Sequence, residues 1–377
     1  MKFYLDTHNP VVTECFKKMK WTAVGPKKDW NIYWATQKKC CTLFRGDQGY
    51  RMLANQMVNH FPNSSELCRK DLLLKNIRRY NRELKRDAAG TRRSDATDFF
   101  PTTFEMPKEY DLFLEEFTRG ESKVWIMKPV GKCHGNGIFL VNRLSQVDRW
   151  SPAYRHTLDY RLTGAPEPYV ISRYVTKPLL LYGKKCDMRL YVLVTSFRPL
   201  KAYLFNHGIC RICTVPYTNR ASEMENGFVH LTNASVQKQP GKVNKVTIGT
   251  LKEHLDRTRG KAATRALIAD VRALIVHSLK AVQPVMFYDK HCFECYGYDV
   301  MVDRKLKPWL LEINSSPSLV ATSELDRALK KELVGNVLRV VLPPDGVPNT
   351  AWNKRPSAKA TENFQLLIDE EETRPPV

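Results

Sequence analysis

Two segments, Tyr296-Gly-Tyr-Asp-Val-Met-Val-Asp303 and Lys307-Pro-Trp-Leu-Leu-Glu-Ile-Asn314, decide how the chain folds. Each alternates, and the turn-prone Asp303-Arg304-Lys305 lies between them, so the pair predicts a β-hairpin. Symmetric pairing sets Tyr298, Val300 and Val302 against Ile313, Leu311 and Trp309 on an apolar side. The other side puts Asp299 opposite Glu312, and Asn314 shares that face because side chains two apart on a strand point the same way. Cross-strand Cβ atoms sit roughly 4.5–5.5 Å apart, where like charges destabilise unless something compensates. A hard cation such as Mg²⁺, which takes oxygen ligands from one or two carboxylates, phosphates and water, would do so. Taken alone, the hairpin reads equally as one whose acids face solvent.

Working outward, Val124-Trp-Ile-Met-Lys-Pro129 is a short apolar strand that delivers Lys128. Gly131-Lys-Cys-His-Gly-Asn-Gly137 and a second strand, Ile138-Phe-Leu-Val141, follow. Backbone N–H groups in such a loop can close over phosphates beside the lysine charge, although a plain hairpin turn has the same pattern. The loop lacks the G-K-[ST] of a Walker A sequence, and no helix follows it as a dinucleotide unit requires. Further on, Tyr169-Val-Ile-Ser-Arg-Tyr-Val175 alternates, and Lys184-Lys-Cys-Asp-Met-Arg189 opens another strand. Lys185, Asp187 and Arg189 fall on one face of it, either as a solvated edge or as ligands for ribose and phosphate oxygens. The sheet pattern runs on from Leu200 to Cys213 and carries Arg211. His230-Leu-Thr-Asn233, Lys242-Val-Asn-Lys245 and a core helix over 263–282 come before the hairpin.

The 377 residues, 43% hydrophobic, can bury a core, and a net charge of +21 predicts a polyanionic partner. A basic stretch from Arg69 to Arg86, after a capping-box start at Asn63-Ser-Ser-Glu66, predicts a helix with an anion-facing surface. No nucleic-acid motif accompanies the charge. No apolar run approaches the roughly 20 residues of a membrane span, and the N-terminus has no apolar core of a secretory signal. Ten cysteines are scattered; Cys210/Cys213 and Cys292/Cys295 read as apolar packing, with a four-thiolate zinc site as the alternative. The small, polar loop over 88–97 bounds an N-terminal domain over 1–97, and polar, Pro-rich composition marks a flexible tail over 346–377.

Trp125-Ile-Met-Lys-Pro129, Gly135-Asn-Gly-Ile138, Lys185-Cys-Asp-Met-Arg189, His230-Leu-Thr-Asn233, Tyr298-Asp299 and Leu311-Glu-Ile-Asn314, in that order, resemble the tubulin tyrosine ligase-like family. The resemblance runs from about Asp29 to about Leu342. It implies an α/β (α+β) ATP-grasp fold, with two mixed or antiparallel sheets and flanking helices sandwiching ATP beside a smaller N-terminal domain. The resemblance also implies the division of the remainder into a central domain over 98–200 and a C-terminal domain over 201–345. Asn59-His-Phe-Pro-Asn63, Cys210-Arg-Ile-Cys213 and His291-Cys-Phe-Glu-Cys295 are most similar to members that form the short catalytic subunit of tubulin polyglutamylase complexes.

The implied reaction is ATP-dependent phosphorylation of a glutamate γ-carboxylate in an acidic tubulin tail. The amine of free L-glutamate then attacks, leaving an isopeptide bond. Position by position, the family pattern implies that Lys128, His134, Gly135, Ser172, Arg173, Tyr174, Val175, Lys185, Cys186, Asp187, Thr232 and Asn233 hold ATP. Asp299, Glu312 and Asn314 would hold Mg²⁺, and Arg211 and Lys245 would grip the incoming glutamate. Lys128, Arg211 and Glu312 would carry the catalysis. The chemistry accords with the residue types, since two carboxylates and a triphosphate approach only where cations screen them. Non-catalytic complex subunits are implied partners, and cytoplasm, cytoskeleton and a ciliary axoneme or basal body the implied location. Glycine or tyrosine ligation on the same fold, or an idle tubulin-binding scaffold, are the alternative roles.

Overall fold

In a computed structural model of the chain, the described residues are 1–26, 29–48, 50–87, 98–120, 123–132, 135–238, 244–321, 323–352 and 354–372. The strand Lys184–Phe197 is the spine of the largest sheet. Leu200–Phe205 and then Ile209–Ile212 pair antiparallel along one edge, and Glu294–Val302 along the other, followed by Pro308–Asn314. Period-two alternation sends Met188, Leu190, Val192 and Val194 to a face packed under Ile248–Arg259 and Lys261–Val282. On the other face, Tyr191 and Leu193 lie under the helix Glu324–Val341. Lys185, Asp187 and Arg189 continue that face beyond the helix, and there the polar site is built.

The hairpin forms as expected, with Tyr298 opposite Ile313 and Asp299 opposite Glu312. Symmetric pairing fails beyond that point. A bulge makes Val300 face Leu310, Met301 face Trp309 and Val302 face Pro308, so the expected Val300–Leu311 and Val302–Trp309 pairs do not exist. The extra residue is Leu311, and a bulged residue leaves the ladder and turns its backbone aside. Its carbonyl lies 3.5 Å from Lys128 Nζ.

A second sheet, ordered Thr103–Met106, Tyr169–Arg173, Trp125–Pro129, Phe139–Val141, is entirely antiparallel. Trp125 and Met127 point into a core with Phe113 and Phe117 of the helix Tyr110–Arg119, the Phe113 and Trp125 rings meeting edge to face at 5.3 Å. Ile126 and Lys128 therefore face the opposite way, toward the large sheet. A third, parallel sheet of Thr22–Ala23, Lys2–Leu5, Ile32–Trp34 and Met57–Val58 makes the N-terminal part. A parallel bridge from Val58 to Cys292 ties it to the head of the Glu294–Val302 strand.

Three expectations need correction. The boundary at residue 200 falls in the turn between Lys184–Phe197 and Leu200–Phe205, adjacent strands of one sheet. The segment expected as a flexible tail contains the strand Phe364–Asp369, paired with Leu200–Phe205. Phe364 is buried there, Asp369 meets buried Lys201 at 2.6 Å, and Lys354 donates to the Thr195 and Cys292 carbonyls. Polar composition hid this because the anchoring side chains are themselves charged. Finally, the helix expected after Asn63 is two, Ser65–Cys68 and Lys70–Asp87, with Arg69 extended between them and Ser64 making no cap bond. The break lets Leu67, Leu73 and Ile77 all reach the main core. The boundary loop read over 88–97 lies outside the described residues.

Candidate active site

Four strands of the large sheet place charged side chains on one face. Arg189 grips Asp299 through Nε at 2.5 Å and Nη2 at 3.0 Å. Arg211 binds Asp187 through Nε at 2.7 Å and Nη2 at 2.5 Å, and reaches Asp299 at 2.8 Å. The Thr232 hydroxyl donates to Asp187 at 2.7 Å. Burial by itself would raise the Asp299 pKa, but Arg189 and Arg211 hold the carboxyl well below the usual carboxylate range. Burial likewise opposes the Arg211 charge, and Asp187 and Asp299 overcome it, keeping the guanidinium protonated. Much of the compensation expected from a metal is thus supplied by two arginines.

Oxygen donors for a cation remain. Glu312, beside Asp299, has Lys70 Nζ at 3.6 Å, and Asn314 directs Nδ2 at the Gly297 carbonyl, 3.4 Å away, which leaves its amide oxygen for other partners. Among the described residues, no cluster of three His, Cys, Asp or Glu could hold a metal unaided. Two carboxylates and an amide oxygen, completed by phosphate and water, fit the habits of Mg²⁺.

Across the cleft, the second sheet contributes Lys128. Burial pushes its ammonium down to about 8, partly offset by Glu312. Lys185 donates to Tyr174 Oη at 3.0 Å and to the His230 carbonyl at 2.7 Å, and burial lowers its pKa as well. Tyr174 Oη meets His230 Nδ1 at 2.9 Å. Ser172, Arg173, Tyr174, Val175, Lys185, Asp187, Thr232 and Asn233 line one cleft with Lys128, Arg211, Asp299 and Glu312.

Other expected residues stand apart. Cys186 falls on the opposite face by alternation and is buried in the main core, so it cannot present its side chain to the cleft. Gly135 has φ +80°, and a Cβ there would come within 3.4 Å of Asn233, so Gly135 is backed closely onto that residue. His134 lies outside the described residues. Lys245 and Asn314 line a neighbouring cavity of about 550 Å³ instead, which also reaches Arg211, Asn233 and Glu312.

That cavity reveals Asp326 and Lys330, which the sequence did not single out. Lys330 meets Asp326 at 2.9 Å and the Val320 carbonyl at 2.6 Å, and Lys245 shares Asp326 at 3.1 Å. Burial lowers the Lys330 pKa, and Asp326 counters it. Lys70 and Arg189 complete the cationic wall. Arg189 was visible in the alternation of its strand and Lys70 in the basic stretch read as anion-facing, whereas Lys330 sits on a helix with no motif of its own. The basic helix is only partly an anion-facing surface. Arg78 is bound to Glu109 and the Thr103 carbonyl, and Arg79 to the Ala281 carbonyl. Cys210, Cys213 and Cys292 are buried with free thiols, and Cys295 is half-buried; burial pushes the Cys213 and Cys295 thiols up to about 12.

No helix among the described residues is long and apolar enough to cross a membrane. Residues 48–350 match the Tubulin-tyrosine ligase family. The chain is similar to the probable alpha-tubulin polyglutamylase Ttll1 of Tetrahymena thermophila, with 40% identity over 98% of this chain and 93% of the relative. It is also similar to the probable tubulin polyglutamylase TTLL9 of Rattus norvegicus, with 38% identity over 85% of this chain and 75% of the relative. A Caenorhabditis elegans relative, the probable tubulin polyglutamylase ttll-9, is 37% identical over 83% of this chain and 73% of its own length. A match of this extent, on a chain with this cleft, makes the protein a member of the tubulin–tyrosine ligase family.

Proposed function

We propose that the chain is a tubulin polyglutamylase, an ATP-dependent ligase that joins the amine of free L-glutamate to the γ-carboxylate of a glutamate in an acidic tubulin tail. One observation carries this reading. The facing acids Asp299 and Glu312 lie where a lysine-lined cleft opens into a cationic cavity, with Arg211 common to both. Two carboxylates and a triphosphate repel one another, and only a surplus of fixed cations lets them meet.

ATP is assigned to the cleft. Lys128 and Lys185 would face its phosphates, Ser172–Val175, Thr232 and Asn233 would line it, and the glycine loop at Gly135 would cover it. Asp299, Glu312 and Asn314 would hold Mg²⁺, which when bound neutralises phosphate charge. Arg211 and Lys245 would orient the incoming glutamate through its carboxylates. Nε and Nη2 of Arg211 are committed to aspartates, so Nη1 is the nitrogen left for the substrate. Strong prior pairing of the arginines supports catalysis over scaffolding, because burying so many charges without use is costly. The place of work is the cytoskeleton, in a ciliary axoneme or basal body, with non-catalytic subunits aiding targeting.

The test is incubation of purified chain with tubulin, ATP, Mg²⁺ and, in separate reactions, glutamate, glycine or tyrosine. Mass spectrometry should show added glutamate on the tails, dependent on ATP. Glycine or tyrosine addition instead, or no addition even with the proposed non-catalytic subunits supplied in a cell extract, would overturn the reading.

A further inference from the structure

The attacking α-amine arrives as an ammonium and must lose a proton before its lone pair can form a bond, so a ligase of this kind needs a proton acceptor at the cavity. The carboxylates of the cleft and the cavity are poorly suited. Asp299 is held by Arg189 and Arg211, and Asp326 by Lys245 and Lys330. Glu312 stands beside Lys70 and is assigned to the metal. Asp299, which its arginines hold well below the usual carboxylate range, is a weak base.

A route out of the cavity runs through Ser316. Ser316 is exposed and lines the cavity, and its hydroxyl lies 3.4 Å from His60 Nε2. His60 is 3% exposed, and its Nδ1 lies 2.6 Å from Oε1 of the fully buried Glu294. Glu294 is oriented in turn by the Phe61 N–H and the Tyr296 hydroxyl, each at 2.9 Å. A buried carboxylate accepting from Nδ1–H leaves Nε2 as the acceptor nitrogen, the arrangement by which an imidazole takes a proton from a hydroxyl. Catalytic hydrogen bonds of this kind are often long before substrate binds.

We infer that Ser316, His60 and Glu294 form a proton relay that deprotonates the incoming amine. The inference rests on the ligase reading above. The ammonium proton passes to Ser316 Oγ as the hydroxyl proton moves to His60 Nε2. The freed lone pair forms the C–N bond to the activated γ-carbonyl, and the C–O bond to phosphate breaks. Phosphate leaves with the bonding pair and takes the second N–H proton, and His60 returns its proton to water. His60 acts through Ser316 and positions it, while Glu294 fixes the ring.

The experiment replaces the nucleophile. Hydroxylamine is already neutral at neutral pH and needs no such acceptor, so it should trap the activated carboxylate as a hydroxamate without the relay. In Ser316→Ala and His60→Gln, glutamate transfer to tubulin should fall by about 10²-fold or more, chiefly in kcat, while hydroxamate formation with ADP release stays near wild type. Ser316 is exposed, so its variant keeps the test sound if His60→Gln does not fold. Glutamate transfer at the wild-type rate in Ser316→Ala, or equal loss with both nucleophiles, would overturn the relay. If the wild-type chain, supplied with cell extract for the proposed subunits, gives neither product, the ligase reading itself fails, which is a separate result.

Discussion

The two sheets that face each other across the cleft both deliver charge to it, yet they do so in opposite ways. On the large sheet, Arg189, Asp299, Arg211 and Asp187 are joined in one chain of ion pairs at 2.5–3.0 Å and are nearly all buried. On the smaller sheet, Lys128 has, among the described residues, the bulged Leu311 carbonyl at 3.5 Å as its hydrogen-bond partner and no close ion pair. The first half is preorganised and electrically balanced before any ligand binds. The second holds a cation whose burial is unfavourable until an anion arrives.

The largest effect should come from breaking the balanced half. Asp299→Ala strands Arg189 and Arg211 in the interior and should cost about 3–5 kcal/mol in urea unfolding, with glutamate transfer lost as well. Glu312→Gln, whose side chain is less buried and only loosely paired, should lose transfer by about 10²-fold or more while changing stability by less than about 1 kcal/mol. Equal destabilisation by the two variants would remove the contrast.

The solitary lysine should show the next effect, and its sign is fixed by linkage. Its folded pKa, about 8, lies below its unfolded value, so the unfolded chain binds the extra proton between these values and stability rises with pH there. Lys128→Met should therefore be more stable than the parent below pH of about 8, by up to about 3 kcal/mol, and the advantage should shrink as the parent gains toward pH of about 10. Phosphates would restore the charge, so ATP binding near pH of about 8.5 should take up protons. Titration calorimetry in buffers of different ionisation enthalpy measures that uptake, and its absence in the parent would separate Lys128 from the phosphates.

The smallest effect concerns the helix Lys70–Asp87, where the same division recurs along one element. Lys75, Arg82, Lys85 and Arg86 are exposed, and reversing them to Glu should weaken microtubule capture several-fold at low salt, little at high salt, and leave stability within about 0.5 kcal/mol. Reversing Arg78 or Arg79 should instead cost about 1–3 kcal/mol, because each leaves a buried carbonyl partner unsatisfied. Indifference of capture to both salt and reversal would show that this face does not meet the polyanion.

Much of this site is visible along the chain. Alternation within a strand places Asp299, Glu312 and Asn314 on one face, and likewise Lys185, Asp187 and Arg189, because a period of two is a local property of the backbone. The same rule, applied strictly, would have removed Cys186 from the site. What alternation could not reveal is which faces meet. The bulge at Leu311 was hidden because symmetric and bulged hairpins share one sequence pattern. The pairing of Arg189 and Arg211 with Asp299 joins strands about a hundred residues apart, and no local signal reports it.

By itself the sequence determined the strands that build the cleft, the long core helix, the acidic hairpin and the strand-end lysine, since each depends on neighbours a few residues away. Only the tertiary structure decided that Phe364–Asp369 completes the large sheet, that Lys70 and Lys330 join the cationic wall, and that Glu294, His60 and Ser316 stand in line. These depend on contacts between distant segments, whose geometry is set by how whole sheets and helices pack and not by the residues on either side.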